Sequence, residues 1–178
     1  MYKPIEIEFL DFAGLIPSMR AMRLPKGTAM DTFEFDRETV AQLGGQDEAL
    51  ARNLILAGPD HAKALRGVIV WLEIKMQVGF MVEFETYRHG IECLSTSSTM
   101  HTSLSNVAGE ELAEKKQAGL EDLVYTRILT ASYQALRAIY LARRRHRHPD
   151  WRLFCSFIET LPYSKELITL SGRQLRKS

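Results

Sequence analysis

Apolar and polar positions alternate at the start of the chain, where Ile5, Ile7 and Phe9 stand against Glu6 and Glu8. A two-residue repeat sends successive side chains to opposite faces of a pleated strand, so residues 4–10 read as a half-buried β-strand. Residues 13–24 change to helical spacing. Pro17 is tolerable there because it falls in the first turn, where a backbone N–H has no intrahelical partner to lose. The run PKGTAMDTFEFD, residues 25–36, is turn-rich and irregular. Asp47 then reads as the N-cap of a helix over 48–57, with Leu50, Leu54 and Ile55 on one face and Gly58-Pro59 as its stop.

GVIVWLEIKM, residues 67–76, is β-branched and almost continuously apolar, which predicts a strand covered on both faces. In residues 77–87 the aromatics Phe80, Phe84 and Tyr87 recur at i, i+4 and i+7, so a helix with a buried aromatic face follows. Beyond a polar Glu/Lys-rich segment at 109–117, the spacing of Val124, Ile128, Ala131, Ala135, Ile139 and Ala142 predicts the longest helix, over 120–145. Pro149 opens a further helix through PDWRLFCSFIETL, and Pro162 stops it. Strands and helices mix without a repeat or linker, so residues 1–178 read as one α+β domain.

Length and composition fit this picture. A chain of 178 residues can bury one substantial core. With 23 basic against 22 acidic residues, no global field marks a nucleic-acid or membrane binder. Charge is local instead: Arg143, Arg144, Arg145 and Arg147 crowd one corner with His146, which favours a small anionic ligand over a polyanion. Cys93 and Cys155 are far apart and form no CxxC pair, which fits a reducing compartment. The chain opens directly on a strand pattern, and no apolar run reaches the roughly 20 residues of a membrane span. A soluble cytoplasmic protein is the expectation.

Candidate chemistry concentrates in YRHGIECLSTSSTMHTSLS, residues 87–105. Its hydroxyls either serve turns or, with successive backbone N–H groups, cradle a phosphate. The arginine corner is either a solvated helix end favoured by the dipole or a phosphate clamp. His61 and His101 stand alone, and the five histidines have no metal-binding spacing. The sequence also lacks GxGxxG, P-loop and GxSxG motifs.

RHGIECLSTSSTM resembles the RHRxxSxNxxSxR signature of flavin-dependent thymidylate synthases. Arg88, His89 and Ser98 match it, Cys93 and Ser95 replace its first serine and its asparagine, and Gly90 and Met100 replace two arginines. PIEIEFLDFAGLIPSMRAMRL is similar to the family's opening strand and short helix. AGPDHAKALRGVIVWLEIKM is similar to its histidine-then-strand segment, and YQALRAIYLARRRHRHPDWRLFCSFIE to its late helix pair. The chain looks closest to a short, diverged branch found in phage and prophage genomes.

The resemblance implies a small, mostly antiparallel sheet packed against long helices. It implies FAD held in a homotetramer whose sites are shared between subunits. It also implies reductive methylation of dUMP to dTMP, with methylenetetrahydrofolate and NADPH as co-substrates and no protein nucleophile. By position, His61, Arg88, His89 and Arg143 would contact the cofactor, and Ser97, Ser98, Thr99 and Arg144 the nucleotide. Losing two arginine contacts, each worth roughly 1.5–3 kcal/mol, would weaken nucleotide affinity by about two to four orders of magnitude. The other readings are a diverged flavin- or nucleotide-binding homologue with an altered or lost reaction, and a small α+β module contacting nucleic acid or protein. Near-neutral charge predicts that any nucleic-acid binding is weak and salt-sensitive.

Overall fold

The computed structural model describes residues 1–33, 41–98, 104–117 and 123–171. In chain order the elements are β1 (Glu6–Ala13), α1 (Leu15–Arg23), α2 (Gly45–Ala57), β2 (Ile69–Gln77), α3 (Val78–Phe84), β3 (Ile91–Thr96), α4 (Gly109–Gln117), β4 (Val124–Ser132), α5 (Tyr133–Arg143), α6 (Pro149–Thr160) and α7 (Ser164–Leu167). Short 3₁₀ turns occupy Leu24–Lys26 and Lys63–Gly67. The strands form one antiparallel sheet in the order β1-β2-β4-β3. The expected α+β class, a small antiparallel sheet with helices, is the observed one.

β2 sits centrally, but it is not covered on both faces. Val70, Leu72, Ile74 and Met76 are buried against the helices, whereas Ile69, Trp71 and Glu73 are half-buried on the other face and Lys75 is exposed. The run is apolar because Trp71 and Ile69 add to the outer face, not because a second layer covers it. β1 likewise departs from simple alternation: the register slips between Phe9 and Asp11, and Phe9 is left 44 % exposed on this edge strand.

The long helix expected over 120–145 is instead a strand followed by a helix. Residues 118–122 lie outside the described residues, and Val124–Ser132 pairs with β2 on one side and β3 on the other. Val, Tyr, Thr and Ile dominate the run, and these side chains fit a pleated surface. Strands on both sides also satisfy backbone groups that a lone segment would close into helix. The switch comes at Ser132, whose Oγ accepts the Ala135 N–H at 3.2 Å and caps α5.

Asp47 is not the cap of α2 but lies in its first turn. Asp31 caps from outside, accepting the N–H groups of Gln46 at 2.8 Å and Asp47 at 2.9 Å. The Asp47 carboxylate is buried and accepts from Arg23 Nε, from the Thr32 hydroxyl and from the backbone N–H groups of Asp31 and Thr32. The other helices follow the pattern: α3 buries Phe80 and Phe84, and α6 starts at Pro149 and ends before Pro162. Trp151 of α6 packs on Phe80, Phe84, Tyr87 and Phe154 and donates to Glu83 at 2.9 Å.

Candidate functional site

The turn between α3 and β3 carries Arg88-His89-Gly90, and it is fixed at both ends. On the α3 side, Arg143 Nε donates to the Tyr87 hydroxyl at 2.7 Å. Its guanidinium carbon lies 4.9 Å from the centre of the Trp151 ring and 5.4 Å from that of Tyr87. On the β3 side, Gly90 adopts the left-handed conformation at φ +80°, and its carbonyl accepts the Ser132 N–H at 2.8 Å. A Cβ at position 90 would lie 2.6 Å from Ser132 Oγ and 3.2 Å from Ala135 Cβ. Only glycine fits there without displacing the cap of α5.

This geometry sends neighbouring side chains to different places. His89 and Gly90 line a cavity of about 890 Å³, whereas Arg88 lines a second one of about 290 Å³. Glu92 borders both.

The larger cavity is closed by the end of α2, the Lys63–Gly67 turn, the adjoining ends of β2, β3 and β4, and α5. Its size falls within the range of small-molecule sites. Gly58, Ala62, Gly90, Ala135 and Ala138 make much of the wall from small residues, so a flat ring can approach backbone closely. Two guanidiniums supply positive charge. Arg66 Nε donates to Gln134 Oε1, and Gln134 Nε2 donates in turn to the Pro59 carbonyl at 3.0 Å. Arg137 Nη1 donates to the carbonyls of Ile168 and, at 2.7 Å, Leu170. Burial lowers the Arg137 pKa, and the positive charge of Arg144 lowers it further. Apolar walls with Arg66, Arg137, His89 and Gln134 suit a planar ring system carrying an anionic tail, so the residues present fit a flavin nucleotide.

The sequence-derived candidates do not all converge. His89 reaches the larger cavity and Arg88 the smaller. His61 is exposed on the turn after α2, beside the cavity-lining Pro59 and Ala62 but not itself in the wall. Arg143 ties α5 to α3 and α6 and lines neither cavity, and the Arg144 guanidinium lies 5.8 Å from the Tyr140 ring centre. Because α5 ends at Arg143, Arg143 and Arg147 share no helical face. Ser97 continues the β3–β4 pairing: its N–H donates to the Thr126 carbonyl at 2.8 Å, and its Oγ accepts the Thr126 N–H at 3.0 Å. The hydroxyl run therefore begins in an edge strand. Ser98 directly follows, and Thr99, Met100 and His101 lie outside the described residues.

Arg66, Gln134 and Arg137 line the cavity, and the sequence does not single them out. Gln134 and Arg137 were hidden by reading 120–145 as one helix, and Arg66 carries no local signal beyond preceding a strand. Among the described residues, no helix is long and apolar enough to cross a membrane, and no group of three or more His, Cys, Asp or Glu side chains is placed to hold a metal ion.

No family model matches the sequence, and no curated protein matches it. Solved structures do match. Two crystal structures of thymidylate synthase X from Helicobacter pylori, both with FAD and dUMP, superpose with TM-scores of 0.68 at 15% sequence identity. One alignment covers 93% of this chain and 97% of the other, and the second covers 92% and 98%. The likeness spans nearly the whole of both chains, so this chain shares their fold.

Proposed function

We propose that the chain is a flavin-dependent thymidylate synthase-like enzyme that methylates a pyrimidine deoxynucleotide, dUMP in the first instance. The observation that carries this reading is the 890 Å³ cavity, with His89 of the signature-like stretch in its wall, in a fold shared with enzymes solved with FAD and dUMP. Arg66 and Arg137 are the residues that would hold the flavin's anionic tail, and His89 and the small-residue wall would lie along its ring. A bound, reduced flavin supplies the hydride. The protein's own groups bind and orient the reactants. Methylenetetrahydrofolate as carbon donor and NADPH as reductant complete the proposed reaction, in the cytoplasm.

A homotetramer with shared sites belongs to the same proposal. Ile69 and Thr130 belong both to the cavity wall and to the half-exposed sheet face around Trp71 and Ile128, so a second copy on that face would close the cavity. Ser97, Ser98, Thr99 and Arg144 remain proposed nucleotide contacts in that assembly.

A second reading, a homologue with a different pyrimidine nucleotide or a lost reaction, is favoured by Gly90. The backbone there has no room for the signature's arginine, so the charge at that position is gone. The absorption spectrum of the purified protein tests both readings first: oxidised-flavin bands are expected, and a colourless protein that ignores added FAD would sink them. Tritium release from the C5 position of labelled dUMP then separates them. Release supports the synthase, whereas flavin perturbation by dCMP without release from dUMP supports the altered substrate. Size-exclusion chromatography should show a tetramer.

A further inference from the structure

Among the described residues that line the larger cavity there is one carboxylate, Glu92 of β3. Register fixes where it points. Ile91 pairs with Ala131 and Cys93 with Leu129 on the helix-packed face, so Glu92 between them faces the other side of the sheet with its direct partner, Thr130 of β4. Directly opposed residues of an antiparallel pair hold their Cβ atoms about 4.5–5.5 Å apart, so these two polar side chains stand next to one another in the wall. The fold uses neither of them. Among the described residues, the Glu92 carboxylate and the Thr130 hydroxyl have no hydrogen-bond or ion-pair partner.

The positive charges lie past the Ser132 cap, on the helix side. Arg66 is tied through Nε to Gln134 in the first turn of α5, and Arg137 is tied through Nη1 to backbone carbonyls, so both keep N–H groups for a ligand. An anionic tail is attracted to that side and repelled by Glu92. The charges thus set the sense in which a ring with such a tail lies, its tail at the arginines and its polar edge at β3. There an ionised carboxylate only accepts hydrogen bonds, whereas a threonine hydroxyl can donate. The two together match a ring N–H with a carbonyl beside it.

We propose that Glu92 and Thr130 are specificity-determining residues that read the imide edge of the bound ring, Glu92 accepting its N–H and Thr130 donating to the neighbouring carbonyl. A flavin ring and a uracil base both carry this edge. The identity of the ligand rests on the proposed function, and the chemistry of the edge rests on the wall.

Methylation at N3 provides the test, because it removes the donor and keeps the rest of the ring. Lumiflavin and 3-methyllumiflavin lack the anionic tail and so bypass Arg66 and Arg137; they are titrated into the full-length protein by flavin fluorescence. dUMP and its N3-methyl derivative are titrated by calorimetry. The wild type should bind the parent ring roughly tenfold to a hundredfold more tightly than the methylated one, the range for a hydrogen bond to a charged group. Glu92→Met keeps the side-chain length without an acceptor and should bring this ratio close to one. Glu92→Gln, which still offers an oxygen, should restore part of it. Thr130→Val should weaken parent and methylated rings alike, by about threefold to tenfold. Glu92 is exposed on an edge strand, so Glu92→Met should melt as the wild type does.

A ratio near one in the wild type overturns the proposal. So does a ratio unchanged in Glu92→Met, because bulk alone then excludes the methyl group, and so does a wild type that binds none of the four probes. Discrimination between dUMP and its methyl derivative, without binding of lumiflavin or FAD, supports the imide-reading pair and refutes the flavin reading. A flavin-loaded protein with a ratio near one does the reverse.

Discussion

Replacing Gly90 by alanine adds one methyl group where the fold has no place for it. A non-glycine residue at φ +80° costs about 1 kcal/mol in backbone strain. The new Cβ, 2.6 Å from Ser132 Oγ, adds an overpacking cost of about 1–3 kcal/mol. If Ser132 rotates away, the Ala135 N–H loses its acceptor, which is worth about 1 kcal/mol more. These terms overlap, and a net loss of about 2–4 kcal/mol is expected. For a domain of this size that lowers Tm by roughly 5–15 °C.

Urea unfolding followed by circular dichroism measures the loss, and a double-mutant cycle locates it. Ser132→Ala removes the oxygen that the new methyl strikes, so Gly90→Ala should cost about 1 kcal/mol less on that background than alone. A Gly90→Ala protein within about 0.5 kcal/mol of wild type would refute the reasoning, because substitutions without a steric or backbone cause fall in that range. Gly90→Arg, which installs the arginine of the signature, should meet the same clash and weaken flavin binding.

The Asp47 carboxyl gives a pH prediction. Burial alone would raise its pKa, but hydrogen bonds from the Thr32 hydroxyl, Arg23 and the N–H groups of Thr32 and Asp31 hold it below the usual carboxylate value. Its contribution is therefore complete above the unfolded-chain pKa of about 3.9 and is lost as pH falls through the lower folded value. Asp47→Asn should cost about 3 kcal/mol at neutral pH, and its stability should approach that of wild type in acid; parallel urea curves at both pH values would contradict this. Arg143→Met should lose about 2 kcal/mol through its Tyr87 hydrogen bond and ring contacts, with Arg143→Lys in between. Both should retain flavin absorbance, and a thermally wild-type Arg143→Met protein without flavin would make Arg143 a ligand contact instead.

Elements whose period was unambiguous were legible in the residues themselves. The apolar run at 67–76 became β2, the aromatic spacing from Phe80 became α3, and Pro149 and Pro162 bracketed α6, because local sterics and donor loss act without reference to the rest of the chain. Residues 124–132 carry spacing compatible with helix and residue types suited to strand. Hydrogen-bonding partners on both sides, from β2 and β3, decided between them. The local position of Asp47 fits a helix cap, yet its partners Arg23 and Thr32 are distant in sequence and only folding brings them together.

The site divides in the same way. Arg88-His89 marked the place, since an arginine and a histidine beside a hydroxyl-rich run are a chemical signal in one dimension. Their separation into two cavities follows from the left-handed turn at Gly90 against Ser132. The charges of the larger cavity come from Arg66 and Arg137, which are 71 positions apart in the chain, a separation that no local periodicity spans. Packing of α5 against the Lys63–Gly67 turn brings them to one wall, and no local pattern encodes that contact.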